Sequence, residues 1–322
     1  MPTDFAHLRR ALDGLQAFVC TPFDATGALD LDAFRRRVAA AIHGPAQPAG
    51  CFVACGAGEF FSLTPAECTR LVAAAAAELQ GRVPLVAGVG HGTALAVEAA
   101  RAAMDAGADA LLLFPPYLTA APQAGLLAHV AAVARAVEIG VIVYHRDNAV
   151  FSEESLLRLA DIPTVIGVKD GHGNLPELAR VRSLQQERLL LINGMPSAEM
   201  YAPAYFAAGI RAYSSGVVDF LPDLAWAYYR ALVADDQATV AQLQAQFFRP
   251  YTALRGLVPG YGIALVKAAL ALLGEPVGGV RPPLQDSTPD HRAQLAALLA
   301  PWATLVPPAV TLSAAKRPSQ PA

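Results

Sequence analysis

Two residues carry the chemistry this sequence offers most directly. Lys169 ends the apolar run of PTVIGVKDGHGN (163–174), and Tyr144 falls at the end of GVIVYH (140–145). The chain has only three lysines, Lys169, Lys267 and Lys316, and otherwise uses arginine for positive charge. Arginine cannot be deprotonated inside a protein, whereas a desolvated lysine can, so a lysine at the mouth of a buried strand points to amine chemistry. A phenol beside it can move protons to and from the amine and a substrate, which makes a Schiff-base pair. The residues alone leave blander readings open: a lysine that snorkels or pairs with an acid, and a tyrosine that packs in the core. Lys267 falls mid-helix in GIALVKAALALLG and reads as structural.

The loop GAGEFFSL (56–63) is the second candidate. Successive N–H groups of Gly56, Ala57 and Gly58 can form a nest for a carboxylate, although a plain strand–helix turn would look the same. Glu59 reads as an anchor of this loop. His91, His145 and His172 also fall at strand ends and raise a zinc site. They come from separate loops without paired spacing or an accompanying acid, so the expectation is no metal. GVGHGT (88–93) looks like a dinucleotide loop but has Thr93 where the third glycine belongs, and it follows the third strand rather than the first.

These residues must be held by a scaffold. Short apolar runs at 15–23, 50–56, 83–89, 109–115, 140–145, 164–170, 188–194 and 211–217 read as strands. Helical stretches fall near 31–43, 65–80, 93–106, 123–137, 153–160, 175–186 and 197–208, and an eighth at 222–233. Thr64-Pro65-Ala66-Glu67 is a helix start, with a capping threonine, a proline in the first turn and an acid. Eight strand–helix units predict an α/β fold, a (β/α)8 TIM barrel over 1–233, with an open doubly wound sheet as the runner-up. Helical patterns at 235–248, 260–273 and 289–300 predict a C-terminal helical extension over 234–302, and 303–322 reads as a disordered tail. A TIM barrel puts its active site at the C-terminal strand ends, which gathers the candidates above with Thr21, Tyr117, Arg146, Asn193, Ser214 and Ser215. Gly167, two before Lys169, is expected to leave room inside the barrel for the lysine side chain.

Composition narrows the partners. The chain has 322 residues, 54% of them hydrophobic, and a net charge of -3 with no basic block, which argues against nucleic acid. No uninterrupted apolar stretch reaches the roughly 18–20 residues that span a bilayer, and the opening MPTDFAHLRRALDG has no signal-peptide run. Cys20, Cys51, Cys55 and Cys68 lack CxxC spacing and read as reduced thiols of a cytoplasmic protein.

TPFD (21–24), EFFSLTPAE (59–67), LLLFPPYL (111–118), VIVYHRDNAV (141–150), GVKDGHG (167–173), GMPSAE (194–199), AYSSGV (212–217) and GYGIALVKA (260–268) resemble the dihydrodipicolinate synthase/N-acetylneuraminate lyase superfamily, over about residues 5 to 300. EFFSLTP, Y-x-RDNAV and KDG-x-G are similar to its sugar-acid dehydratase branch. The resemblance implies a homotetramer or homodimer of barrels working through a lysine imine on a 2-keto acid. Lys169 would form the Schiff base, Tyr144 relay protons, and the 56–59 loop take the keto-acid carboxylate, with Arg146, Ser214 and Ser215 also binding substrate. The implied activity is a lyase removing water and carbon dioxide from a keto-deoxy sugar acid, with no cofactor. Alternatives are an aldolase or hydro-lyase on another 2-keto-3-deoxy acid, and a non-catalytic sugar-acid sensor. The branch pattern has threonine where Ala57 stands, asparagine at His145 and Asp219, and aspartate at Asn174, which would alter the residues that read the substrate.

Overall fold

The structure, a computed structural model, describes residues 5–43, 47–185 and 187–305. Eight parallel strands close on themselves in sequence order: β1 (Leu15–Phe18), β2 (Cys51–Val53), β3 (Leu85–Val89), β4 (Ala110–Leu113), β5 (Gly140–His145), β6 (Val165–Asp170), β7 (Leu190–Asn193) and β8 (Ala212–Ser215). Because β1 pairs with both β2 and β8, the sheet is a barrel and not the open alternative. The helices α1 (Ala6–Leu12), α2 (Leu31–Ala41), α3 (Pro65–Leu79), α4 (Thr93–Asp105), α5 (Gln123–Ala134), α6 (Glu153–Leu159), α7 (Leu175–Leu184), α8 (Ala198–Ala207) and α9 (Pro222–Val233) accompany it.

The strands read as continuous apolar runs because both of their faces are buried. Phe18, Phe52, Val86, Leu112, Ile142 and Ile192 fill the inside of the barrel. Val53, Ala87, Leu111, Val143 and Leu191 face the surrounding helices. The sequence reading did not include α1. This seven-residue helix lies outside the strand–helix alternation and, with Phe5 just before it, adds Leu8 and Leu12 to the inner cluster.

One irregularity matters for the chemistry. Val141 pairs with Val165 but Ile142 pairs with Gly167, so β6 carries an extra residue at this point. Such a bulge shifts everything beyond it by one position. It brings Lys169, and not Val168, opposite Tyr144.

After α9 the chain forms α10 (Gln237–Leu243), a π-turn at Gln244–Phe248, α11 (Arg249–Arg255), α12 (Tyr261–Leu272) and α13 (Pro289–Leu299). The sequence reading ended a helix at 248 and missed α11, because Pro250 resembles a stop. It sits instead in the first turn of α11, where a missing N–H costs little. Ala300–Leu305 form a 3-10 turn, and the expected tail falls from residue 306 onward outside the described residues. Among the described residues no helix is long and apolar enough to cross a membrane.

Candidate active site

The C-terminal ends of the strands open into a cavity of about 870 Å³. Lys169, Tyr144, Gly56, Ala57, Arg146 and Ser214 line it, and residues of α11, α12 and their connection cover one side.

Lys169 is 4% exposed. Its Nζ lies 4.1 Å from the centre of the Phe18 ring and 4.5 Å from that of Tyr144. Burial pushes its amine below the usual lysine range, and the nearby Tyr144 and Cys55 oppose that shift only in part. Among the described residues no carboxylate is in ion-pair range of Lys169. The ion-paired reading therefore falls away, and a desolvated amine remains.

The room for this side chain comes from a different glycine than expected. A Cβ on Gly194 would stand 2.6 Å from Lys169 Cγ and 2.7 Å from Cε, so only glycine fits there. A Cβ on Gly167 would instead meet the Leu190 carbonyl at 2.6 Å. Gly167 serves close strand packing, and Gly194 makes space for the lysine.

Tyr144 does more than pack. Its hydroxyl donates to the Gly194 carbonyl at 3.0 Å and accepts from Arg146 Nη1 at 3.0 Å. Arg146 Nε donates to Asp147 at 2.7 Å, so this arginine is already paired. The hydroxyl thus has both a donor and an acceptor partner, an arrangement that suits a proton-relay group.

The 56–63 loop is anchored from three sides. Thr21 Oγ1 donates to the Gly58 carbonyl at 2.6 Å. Glu59, with φ of +59°, is fully buried and pairs with Lys267 Nζ at 2.6 Å, while the Arg281 N–H donates to its other oxygen at 2.9 Å. Lys267 also donates to the Gly279 carbonyl at 2.7 Å. Both expectations, Glu59 as an anchor and Lys267 as structural, describe this one buried pair. The Thr64–Glu67 capping box holds the start of α3, and Glu67 also pairs with Arg281 at 2.7 Å, which holds its carboxyl down at about 2. Among the described residues the N–H groups of Gly56, Ala57 and Gly58 meet no acceptor, as a nest requires. Gly56 and Ala57 line the cavity. Gly58 lies beneath it, where a Cβ would be 3.0 Å from Ala54 N.

Several residues expected to bind or read the substrate do not line the cavity. Ser215 points away from the cavity and donates to buried Glu199 at 2.5 Å. His145 alternates with Tyr144 and faces outward, its Nδ1 accepting from the Phe151 N–H at 3.0 Å. Burial pushes its imidazole down to about 4, against the opposing pull of Asp170 3.9 Å away. Asp219 is a buried structural acid, paired with Arg37 at 3.2 Å and accepting from the Cys20 N–H. Asn174 precedes α7 and donates to Glu177. Of the four departures from the branch pattern, only Ala57 touches the cavity. The other three departures lie off the cavity wall.

His91 packs its ring against Phe60, and His145 meets His172 edge-on. Among the described residues no three His, Cys, Asp or Glu side chains gather as a metal site would require. Sequence reasoning missed Phe18, Gly194, Glu199 and Arg255, all on the cavity wall. GMPSAE, after β7, contains Gly194 and Glu199 and held the only available signal; nothing local marks Arg255.

A closed eight-stranded barrel with a desolvated lysine at its C-terminal mouth defines a class of imine-competent α/β barrels. The Dihydrodipicolinate synthetase family profile matches residues 11–301, and the chain belongs to that family. It is 47% identical over 294 residues to a Rhizobium rhizogenes protein named probable 5-dehydro-4-deoxyglucarate dehydratase, covering 91% of this chain and 96% of that one. A Streptomyces griseus protein of the same name is 47% identical over 296 residues, covering 90% and 92%. Among solved structures, the dihydrodipicolinate synthase of Agrobacterium tumefaciens superposes with a TM-score of 0.81 at 30% identity, covering 91% of this chain and 99% of that one. That of Oceanobacillus iheyensis, at 24% identity, gives 0.86 with 94% and 100% covered and supports the fold.

Proposed function

We propose that the protein is a Schiff-base-forming lyase that converts 5-dehydro-4-deoxy-D-glucarate to 2,5-dioxopentanoate, with loss of water and carbon dioxide. The reaction class rests on the desolvated Lys169 amine, without a carboxylate partner among the described residues and set in register with Tyr144. The substrate rests on the names of the relatives and on a cavity that only one of the four noted departures, Ala57, reaches. A homodimer or homotetramer is the expected assembly.

The chemistry follows from the imine. Neutral Lys169 adds to the substrate ketone and expels its oxygen as water, leaving a protonated imine. This electron sink lets the adjacent methylene lose a proton, which the Tyr144 hydroxyl is placed to carry, and an enamine forms. The enamine expels the β-hydroxyl as water. The conjugated imine then accepts the electron pair of the C–C bond to the far carboxylate, releasing carbon dioxide. Protonation and hydrolysis free the product and restore the lysine. Written for the dianion, each turnover takes up a proton and yields water, carbon dioxide and the product monoanion.

The test is turnover of a panel of 2-keto-3-deoxy acids, followed by product mass and carbon dioxide capture. The proposal expects 5-dehydro-4-deoxyglucarate to have the highest kcat/KM and to yield 2,5-dioxopentanoate. Preference for another acid, or cleavage without carbon dioxide release, would replace this substrate with the aldolase or hydro-lyase alternative. Binding without turnover of any of them would favour the sensor.

A further inference from the structure

The proposed substrate has two carboxylates, and the loop at Gly56 and Ala57 accounts for one. We infer that Arg255 binds the other, at the far end of the molecule; this rests on the dicarboxylate reading above. Arg255 is the last residue of α11 and lies on the cavity wall. Its Nη1 donates to Ser197 Oγ at 2.9 Å. Ser197 sits just before α8 at φ of +54°, a left-handed conformation uncommon for serine. Gly262 lies against the guanidinium: a Cβ there would stand 2.5 Å from Arg255 Nε. Hydroxyl and glycine thus seat a guanidinium on the cavity wall, and among the described residues Ser197 is its one hydrogen-bond partner.

Charge supports the same assignment. Among the described residues no carboxylate pairs with Arg255. The other cavity arginine, Arg146, is taken by Asp147 and Tyr144. The acid on the same wall, Glu199, is buried and accepts from Ser215 Oγ at 2.5 Å. Burial pushes its carboxyl up, with Ser215 and Arg255 opposing that shift, and among the described residues it is not within ion-pair distance of Arg255. Position fits as well. The carboxylate nest follows β2 and Ser197 follows β7, three strands apart around a ring of eight, with Lys169 at the end of β6. A guanidinium fork matches a carboxylate geometrically.

The far carboxylate loses its charge as it leaves, so Arg255 favours the bound ground state over the decarboxylation transition state. Its removal should therefore appear in KM more than in kcat. Arg255→Gln and Arg255→Lys are compared with the unaltered enzyme in two assays: steady-state turnover of 5-dehydro-4-deoxyglucarate, and borohydride trapping of pyruvate, a keto acid with no far end. The expected result is a KM for the dicarboxylate raised about ten- to a hundredfold by glutamine, the size of a lost charge-assisted bond. Lysine should be intermediate, and half-saturation of pyruvate trapping should stay within about twofold. Equal losses in both assays would mean a structural role, and no change in either would mean no role; both overturn the assignment. Failure of the unaltered enzyme to turn over the dicarboxylate, with pyruvate still trapped, would instead defeat the substrate reading and take this inference with it.

Discussion

Tyr144 and Lys169 are register partners across β5 and β6, with the lysine Nζ 4.5 Å from the centre of the phenol ring. The pairing depends on the bulge beside Gly167, and the Gly194 carbonyl that accepts from Tyr144 belongs to the residue that makes room for Lys169. One short stretch of backbone therefore positions both groups, and it makes their roles separable by substitution.

Tyr144→Phe keeps the ring that packs beside Lys169 and removes the hydroxyl. Turnover should fall about 10²–10⁴-fold, the usual contribution of a positioned acid–base group, with a much smaller change in binding. Steady-state kinetics on the preferred substrate decides it. A fall in kcat of less than about threefold would return the tyrosine to a packing role.

Lys169→Met should raise thermal stability while abolishing turnover. Burial lowers the amine's pKa in the folded state, so between that value and the unfolded one the unfolded chain binds more protons. Stability of the unaltered protein should thus rise with pH across that window and be lowest below it. Melting curves over a pH series should show a higher Tm for the methionine variant at neutral pH and a flatter alkaline slope. Identical slopes would show that the amine is not desolvated.

Lys267→Met strands the Glu59 carboxylate in a buried site. Breaking one side of such a pair costs about 3–5 kcal/mol, and neutralising the survivor should recover much of it. Denaturant unfolding of Lys267→Met and of Lys267→Met with Glu59→Gln measures this. Equal stability of the two variants would contradict the pairing.

The barrel was legible in the sequence because its strands are buried on both faces and stand out as eight apolar runs between amphipathic ones. The lysine and tyrosine were legible because a rare residue type fell at a strand end. The β6 bulge was not, since an isolated glycine such as Gly167 in TVIGVKD marks either a bulge or a close backbone approach and does not say which. The direction of His145 was hidden for a related reason: a residue at a strand end points into the mouth or into the wall according to register. Asp219, in a 3-10 turn past β8, turns inward to Arg37 through packing the sequence alone does not reveal. Arg255 and Gly262 approach the mouth from helices beyond the barrel, and their meeting depends on how α11 and α12 pack.

Ala57→Thr should strengthen keto-acid binding. Ala57 lines the cavity beside N–H groups that meet no acceptor among the described residues, and a hydroxyl there adds a bond to a charged group, about 1.5–3 kcal/mol. Half-saturation of pyruvate trapping should drop about tenfold or more, with the labelled residue unchanged. Weaker trapping would mean that Ala57 makes room for a bulkier ligand, and the substrate named here would be wrong.

The central claim is that Lys169 forms the imine. Incubation with pyruvate and borohydride, followed by peptide mass analysis, tests it most directly. The account predicts reduced adduct mass on the peptide containing Lys169 and none in Lys169→Ala. Adduct on Lys267, or labelling that survives Lys169→Ala, would contradict it.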